Sequence, residues 1–192
     1  VKIRHAKIAE KATIEKYIRR VEAAASFDGV PLPLWGERAA FDLGAAIEKE
    51  RVYIAIENRM IYGLLIVSNS VLDSYFAESQ SREKELNMLL KTDPKGYEEI
   101  VIIESLSIDP RFRGKGFGKE LTRYVTDNHR HGLVLAAVPP KNEKAVRYFR
   151  DRGFLARGTI EPEGQEPRVQ ILLSWRLHER TATYRAHDSS RL

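Results

Sequence analysis

The chain predicts an α/β domain, and three features of its pattern predict it. Short apolar or alternating runs suited to strands interleave with stretches whose apolar residues recur at helical spacing. Two of the strand-like runs flank a short turn, as a hairpin requires. The most apolar run, Ile100 to Ile108, leads through a glycine-rich loop into a helix-like segment. A length of 192 residues suits one domain with a substantial core.

Val1 to His5 alternates apolar and polar residues, which gives a short first strand. Ile14, Tyr17, Ile18 and Val21 recur at the i, i+3, i+4, i+7 spacing, so Ala12 to Ala25 is an amphipathic helix. Phe27 to Gly36 is a loop by its glycines and prolines. Its Leu32, Leu34 and Trp35 either pack back on the core or form one wall of a binding site. Ala39 to Glu50 reads as a second helix. Arg51 to Glu57 and Ile61 to Ser68 are strands joined by Asn58, Arg59 and Met60.

Ser70 to Glu99 carries a helix-like stretch around Leu86 to Leu90 and a turn at Asp93 to Gly96. A connection of this length is usually functional or flexible. Ile100 to Ile108 is the buried central strand, stopped by Asp109 and Pro110, because proline has no N–H for the ladder. Lys119 to Arg130 follows as a helix with Leu121, Tyr124 and Val125 inward. Leu133 to Val138 is a strand ended by two prolines. Asn142 to Arg152 is a helix with Asn142 placed to cap it. Phe154 to Thr159 and Val169 to Leu177 are the last strands, and the remaining residues form a polar tail.

Between the central strand and its helix lie Arg113, Gly114, Lys115, Gly116, Phe117 and Gly118. Closely spaced glycines let backbone N–H groups approach an anion, and a helix start adds the positive end of its dipole. The loop reads as a phosphate cradle, and its spacing excludes three familiar kinds. A nucleotide-triphosphate loop needs GxxxxGK[ST], but Glu120 follows Lys119 here. The dinucleotide fingerprint needs GxGxxG, and these glycines run GxGxG. A protein-kinase loop would be followed by HRD and DFG, which do not occur.

Arg113 to Gly118 instead resembles the [Q/R]xxGx[G/A] acyl-CoA signature of the GNAT superfamily of N-acyltransferases. LSIDP before the loop and KELTRYVTDNHR after it resemble that family's fourth strand and following helix. Asn142, Ala145, Gly153 and Phe154 resemble the NxxA…GF close of its second CoA motif. The resemblance covers most of the chain, leaving out Ser70 to Glu99 and the tail. It implies a three-layer α/β/α domain over residues 1–178, with a mixed, mainly antiparallel sheet of six to seven strands. The fourth and fifth strands would splay apart, residues 70–99 would be an insertion, and 179–192 a peripheral tail.

The same resemblance implies acetyl-CoA as cosubstrate and transfer of its acetyl group to an amine by direct attack, without a metal. The diphosphate would sit on Arg113, Gly114, Lys115, Gly116, Phe117, Gly118 and Lys119. Pantetheine would lie against the backbone of Leu106, Ser107 and Ile108. Asn142 would give an amide contact beside its capping role, since one asparagine has both donors and an acceptor. Glu104 occupies the place of a general base acting through water; the alternative is pairing with a surface cation. Where the family often carries a tyrosine acid, this chain has Phe149, which lines the cofactor region with no proton to give. Tyr148 beside it is turned away by a helical step of ~100°.

Composition bounds the other classes. An apolar share of 43% with 31% charged residues describes a globular chain. No run approaches the ~20 apolar residues of a membrane span, and VKIRHAKIAEKA lacks a signal peptide's apolar segment, so a cytoplasmic protein is expected. Without cysteine there is no disulfide, thiolate ligand or thiol nucleophile. The net charge of +5 gathers around the loop (Arg111, Arg113, Lys115, Lys119, Arg123) and around Asn142 (Lys141, Lys144, Arg147, Arg150, Arg152). These clusters suit the phosphates of CoA, or else are solvated helix faces. Nucleic acid fits less well, because no basic stripe interleaves with stacking aromatics. A non-catalytic acyl-CoA sensor is the rival class. The insertion is expected to cover the acceptor site or to form a homodimer contact, with a plain surface excursion as the alternative.

Overall fold

The structure, a computed structural model, describes residues 1–27, 42–68, 100–130, 132–138, 142–160 and 169–173. The expectations for the loop with Leu32, Leu34 and Trp35, for the insertion and for the tail lie outside these residues. Contacts divide the chain into two units, Val1–Val67 with Ser105–Val125, and Ser68–Glu104 with Thr126–Leu192.

In the first unit, β1 (Lys2–His5), β2 (Val52–Glu57) and β3 (Met60–Ser68) pair antiparallel in that order. The hairpin turn is two residues, Asn58 and Arg59, at φ of 49° and 63°. Met60, expected in the turn, instead pairs with Glu57. Two successive left-handed residues match the twist of the flanking strands, which is why the turn is short. Further along, the register passes from Ala55↔Gly63 to Ile56↔Ile61 and skips Tyr62. This bulge sends the Tyr62 carbonyl to the N–H of Asp109 at 3.0 Å, just beyond the end of β4 (Ile100–Ile108).

Both faces of β2 are covered. Val52 and Ile54 join a cluster with Ile14, Tyr17 and Val21 of helix α1 (Lys11–Phe27) and Leu43, Ala46 and Ile47 of helix α2 (Leu43–Glu48). On the opposite face Tyr53 meets the ring of Tyr124 at 6.0 Å, on helix α3 (Phe117–Asn128). Of the expected second helix, Ala39 to Phe41 lie outside the described residues, and α2 starts after Asp42. Asp42 is extended, and its carboxylate accepts from the N–H groups of Gly44 and Ala45, so it caps α2 instead of continuing it.

In the second unit the start of β4 runs parallel to β5 (Leu133–Val138), from Ile100↔Leu133 to Ile103↔Ala136. β7 (Val169–Leu173) lies antiparallel between β5 and β6 (Leu155–Ile160). One parallel pair among antiparallel ones makes the mixed, mainly antiparallel arrangement that was expected. Helix α4 (Glu143–Arg150) opens on Asn142, whose side chain accepts from the Ala145 N–H at 3.1 Å. It closes on Gly153 at φ 81°, which turns the chain so that Phe154 is buried at 1% exposure. That is the physical content of the Gly-Phe pair.

One contact fixes how closely α3 approaches β3. A Cβ built on Gly63 would stand 2.6 Å from Cδ1 of Ile108 and 2.8 Å from Cδ1 of the fully buried Leu121. Gly63→Val is therefore expected to lower stability by about 1–3 kcal/mol through overpacking. Urea unfolding checks it, and a variant as stable as the parent would show that the interface has slack.

Candidate functional site

The glycine loop begins where β4 ends. Pro110–Phe112 makes a single 3-10 turn, and Gly114 and Gly116 follow at φ of 79° and 91°. These are left-handed conformations that L side chains rarely adopt, so glycine is required by the backbone. It is not required by crowding, because a Cβ at either position would meet nothing within 4 Å. Space beside the loop backbone is what an approaching anion needs.

Helix α3 begins at Phe117, two residues before the expected start, because the Gly116 carbonyl already accepts the Glu120 N–H at 3.1 Å. Gly116 is thus the residue at the cap position, and it has no side chain. In α2 and α4 the equivalent donors are taken by the carboxylate of Asp42 and the amide of Asn142. At α3 the N–H groups of Phe117, Gly118 and Lys119 are the first-turn donors that lack an i−4 carbonyl, at the positive end of the helix dipole. The rings of Phe112 and Phe117 pack on Tyr62 at 4.4 and 5.1 Å, and Lys115 Nζ lies 5.3 Å from the centre of the Phe112 ring.

The loop is held at its root by Asp109. This residue is 0% exposed, although its two partners reach in from the surface. Oδ1 accepts from the Arg111 backbone N–H at 3.1 Å and from Arg111 Nε at 3.0 Å. Oδ2 accepts from Arg111 Nη2 at 2.8 Å and pairs with Arg20 Nη2 at 2.7 Å. The hydrogen bond from the Arg111 side chain, reinforced by its backbone N–H and by the charge of Arg20, holds the Asp109 carboxyl below the usual range despite burial. Arg111, counted above among the cations around the loop, is thus engaged as a strut. One helical turn from Arg20, the buried Tyr17 donates its hydroxyl to the Ser107 carbonyl at 2.9 Å. Burial raises the Tyr17 pKa, so it stays a donor at any physiological pH.

The end of β4 is thereby resolved residue by residue. The Ser107 carbonyl is used by Tyr17, and the Asp109 N–H by Tyr62. By the two-residue alternation of a strand, the backbone groups of Leu106 and Ile108 point the other way, away from β3. Of the three residues expected to present a backbone edge, two face outward in this sense. Arg113 Nε approaches the Ile108 carbonyl at 3.4 Å.

The second unit holds the other expected residues. Glu104 lies on β4 and accepts from the hydroxyl of Ser68, the last residue of β3, with Oγ to Oε1 at 2.5 Å. Ser68 is 4% exposed and Glu104 is partly buried. Asn142 is committed to its cap through Oδ1. Phe149 is buried, edge-on to Phe154 at 5.1 Å, a core position. Tyr148 lies under the guanidinium of Arg152, which stands 3.4 Å from the ring centre. Leu106 to Ile108 and Arg113 to Lys119 thus belong to one unit, and Glu104, Asn142 and Phe149 to the other. Sequence reasoning passed over Asp109 and Ser68, since a residue before proline and a serine at a strand end carry no signal of their distant partners.

A helix start with glycine at its cap position, reached from the end of the central strand, has the geometry to receive an anion. Residues 86–154 match the profile of the Acetyltransferase (GNAT) family. Over 69 residues the chain is 32% identical to N-alpha-acetyltransferase RimI of Mycobacterium tuberculosis, covering 36% of this chain and 41% of that protein. The match therefore spans about two-fifths of the relative's length. A GNAT-family acetyltransferase from Streptococcus agalactiae superposes with a TM-score of 0.65 at 15% identity, over 91% of this chain and 94% of its own. Arabidopsis thaliana Naa50, solved with the bisubstrate analogue CoA-Ac-MVNAL, gives 0.57 at 16% identity, over 90% and 97%. Residues 86–154 thus resemble the GNAT acetyltransferase family in sequence, and the fold is shared with GNAT structures over nine-tenths of the chain.

Because the folded Asp109 carboxyl titrates below its unfolded value, its stabilisation is complete above pH ~4 and is lost as pH falls through the folded value. Asp109→Asn is expected to cost about 2 kcal/mol at neutral pH. The gap from the parent should close below pH ~4. Urea midpoints from pH 7 to 2 read this directly; a gap that stays constant would mean the ionised carboxylate contributes nothing.

Proposed function

We propose that this chain is an acetyl-CoA-dependent N-acetyltransferase. The observation that carries the reading is the side-chain-free cap at Gly116, which leaves the first-turn amides of α3 to an anionic ligand. The CoA diphosphate would take these donors together with Gly114 and the Lys115 and Lys119 charges. The pantetheine amides would pair with the outward backbone of Leu106 and Ile108. Asn142 would act on the cofactor through its side-chain N–H groups, since its oxygen serves the cap.

The amine nitrogen attacks the thioester carbonyl carbon, the C–S bond breaks, and the acetamide and CoA thiolate result. Glu104, on β4, would take the amine's proton through a water. The first acceptor to test is a peptide α-amine, because the matched relative is an N-alpha-acetyltransferase. An α-amine has a pKa near ~8, against ~10.4 for lysine, so it asks less of the base. No acid stands at Phe149, but a thiol pKa of ~8.5 makes the thiolate a tolerable leaving group. The same residue supports the second reading, an acyl-CoA sensor without turnover. Among the described residues no helix is long and apolar enough to cross a membrane, and a cytoplasmic location is part of this proposal.

Gly116→Asp places a negative charge at the diphosphate position and is expected to weaken CoA binding by about 100-fold or more. Calorimetry checks this, with thermal unfolding as the fold control; unchanged affinity would remove the cradle from the account. Glu104→Gln should lower kcat/KM by ~10²-fold and abolish the acidic limb of its pH profile, whereas Tyr148→Phe should do little. The reverse pattern in steady-state assays would overturn the assignment of the base.

A further inference from the structure

We infer that Ser68 is a positioning residue for Glu104: its hydroxyl fixes the orientation of the carboxylate and favours the ionised form in which a base must wait. The inference rests on the proposed role of Glu104 as general base. What motivates it is a contact between two residues far apart in sequence, each preceded on its strand by aliphatic side chains. Leu64, Leu65, Ile66 and Val67 lead into Ser68, and Val101, Ile102 and Ile103 lead into Glu104, all of them 2% exposed or less. Burying a hydroxyl and a carboxylate among such neighbours is costly unless each satisfies the other.

The hydroxyl of Ser68 donates to Glu104 Oε1 at 2.5 Å, a close hydrogen bond of the kind an ionised carboxylate accepts. A carboxylate accepts through about four lone-pair sites, and the serine hydroxyl takes one of them on Oε1, which fixes that oxygen's direction. Because Ser68 is 4% exposed, its hydroxyl is shielded from bulk water, which would otherwise compete for it. Donation to the ionised form lowers a carboxyl pKa, and removal of the donor raises it.

A titration that needs no acceptor tests this. Protein labelled with ¹³C at the glutamate carboxyl carbons is titrated by NMR, and the Glu104 resonance is identified by its loss in Glu104→Gln. In Ser68→Ala the Glu104 midpoint should rise by about one pH unit, and Ser68→Thr, which keeps a hydroxyl, should restore most of it. With a free-amine peptide and acetyl-CoA, the acidic limb of kcat/KM should move upward by the same amount in Ser68→Ala. The KM for acetyl-CoA should stay unchanged. An unmoved Glu104 midpoint in a folded Ser68→Ala protein overturns the inference while leaving the base intact. A moved midpoint with an unmoved kinetic limb overturns the base assignment instead, and the positioning role with it.

Discussion

The geometry of the cradle depends on one buried carboxylate. Asp109 sits where β4 stops, and its two oxygens bind Arg111 on the loop side and Arg20 on α1. Remove that charge and two guanidiniums lose their common acceptor at the point where the strand hands over to the loop. The desolvation cost of burying Asp109 is offset because four donor contacts converge on it and both cations keep contact with water. From this root the 3-10 turn, Gly114, Gly116 and the start of α3 follow with little freedom. The Tyr62 bulge adds a backbone tie to the same residue, and Tyr17 adds one to Ser107.

What the protein does with that rigidity is leave a helix start open. Asp42 and Asn142 cap their helices with their own side chains, so those amides are satisfied from within. Gly116 cannot, and in the proposed function the amides of this helix start are where the CoA phosphates bind. Glycine in place of a capping side chain costs only a few tenths of a kcal/mol. The packing of Leu121 and Val125 into the core offsets this. The same economy of parts appears in the second unit, where the bond that satisfies a buried serine also holds the proposed base.

The loop was legible in the sequence because its glycines are demanded by local backbone conformation, which a sequence expresses directly. Asn142 was legible for the same reason, since a cap acts within three residues. Helix α3 was read to begin two residues late because apolar periodicity starts after the true cap, and α2 was read through Asp42 because its capping role was overlooked. Asp109 and Ser68 were illegible as partners: Arg20 and Glu104 reach them only once strands and helices are packed. Phe149 was read as lining the cofactor region, and the structure gives it a packing role against Phe154 that accounts for its apolar character.

The central claim is that the amides of the α3 start bind the phosphates of CoA. Backbone ¹⁵N–¹H spectra of the protein titrated with CoA test it most directly. The account predicts large, saturable shifts at Gly114, Gly116, Phe117, Gly118 and Lys119, reproduced in part by ADP and absent with pantetheine alone. Saturable CoA binding that leaves those five resonances in place would contradict it.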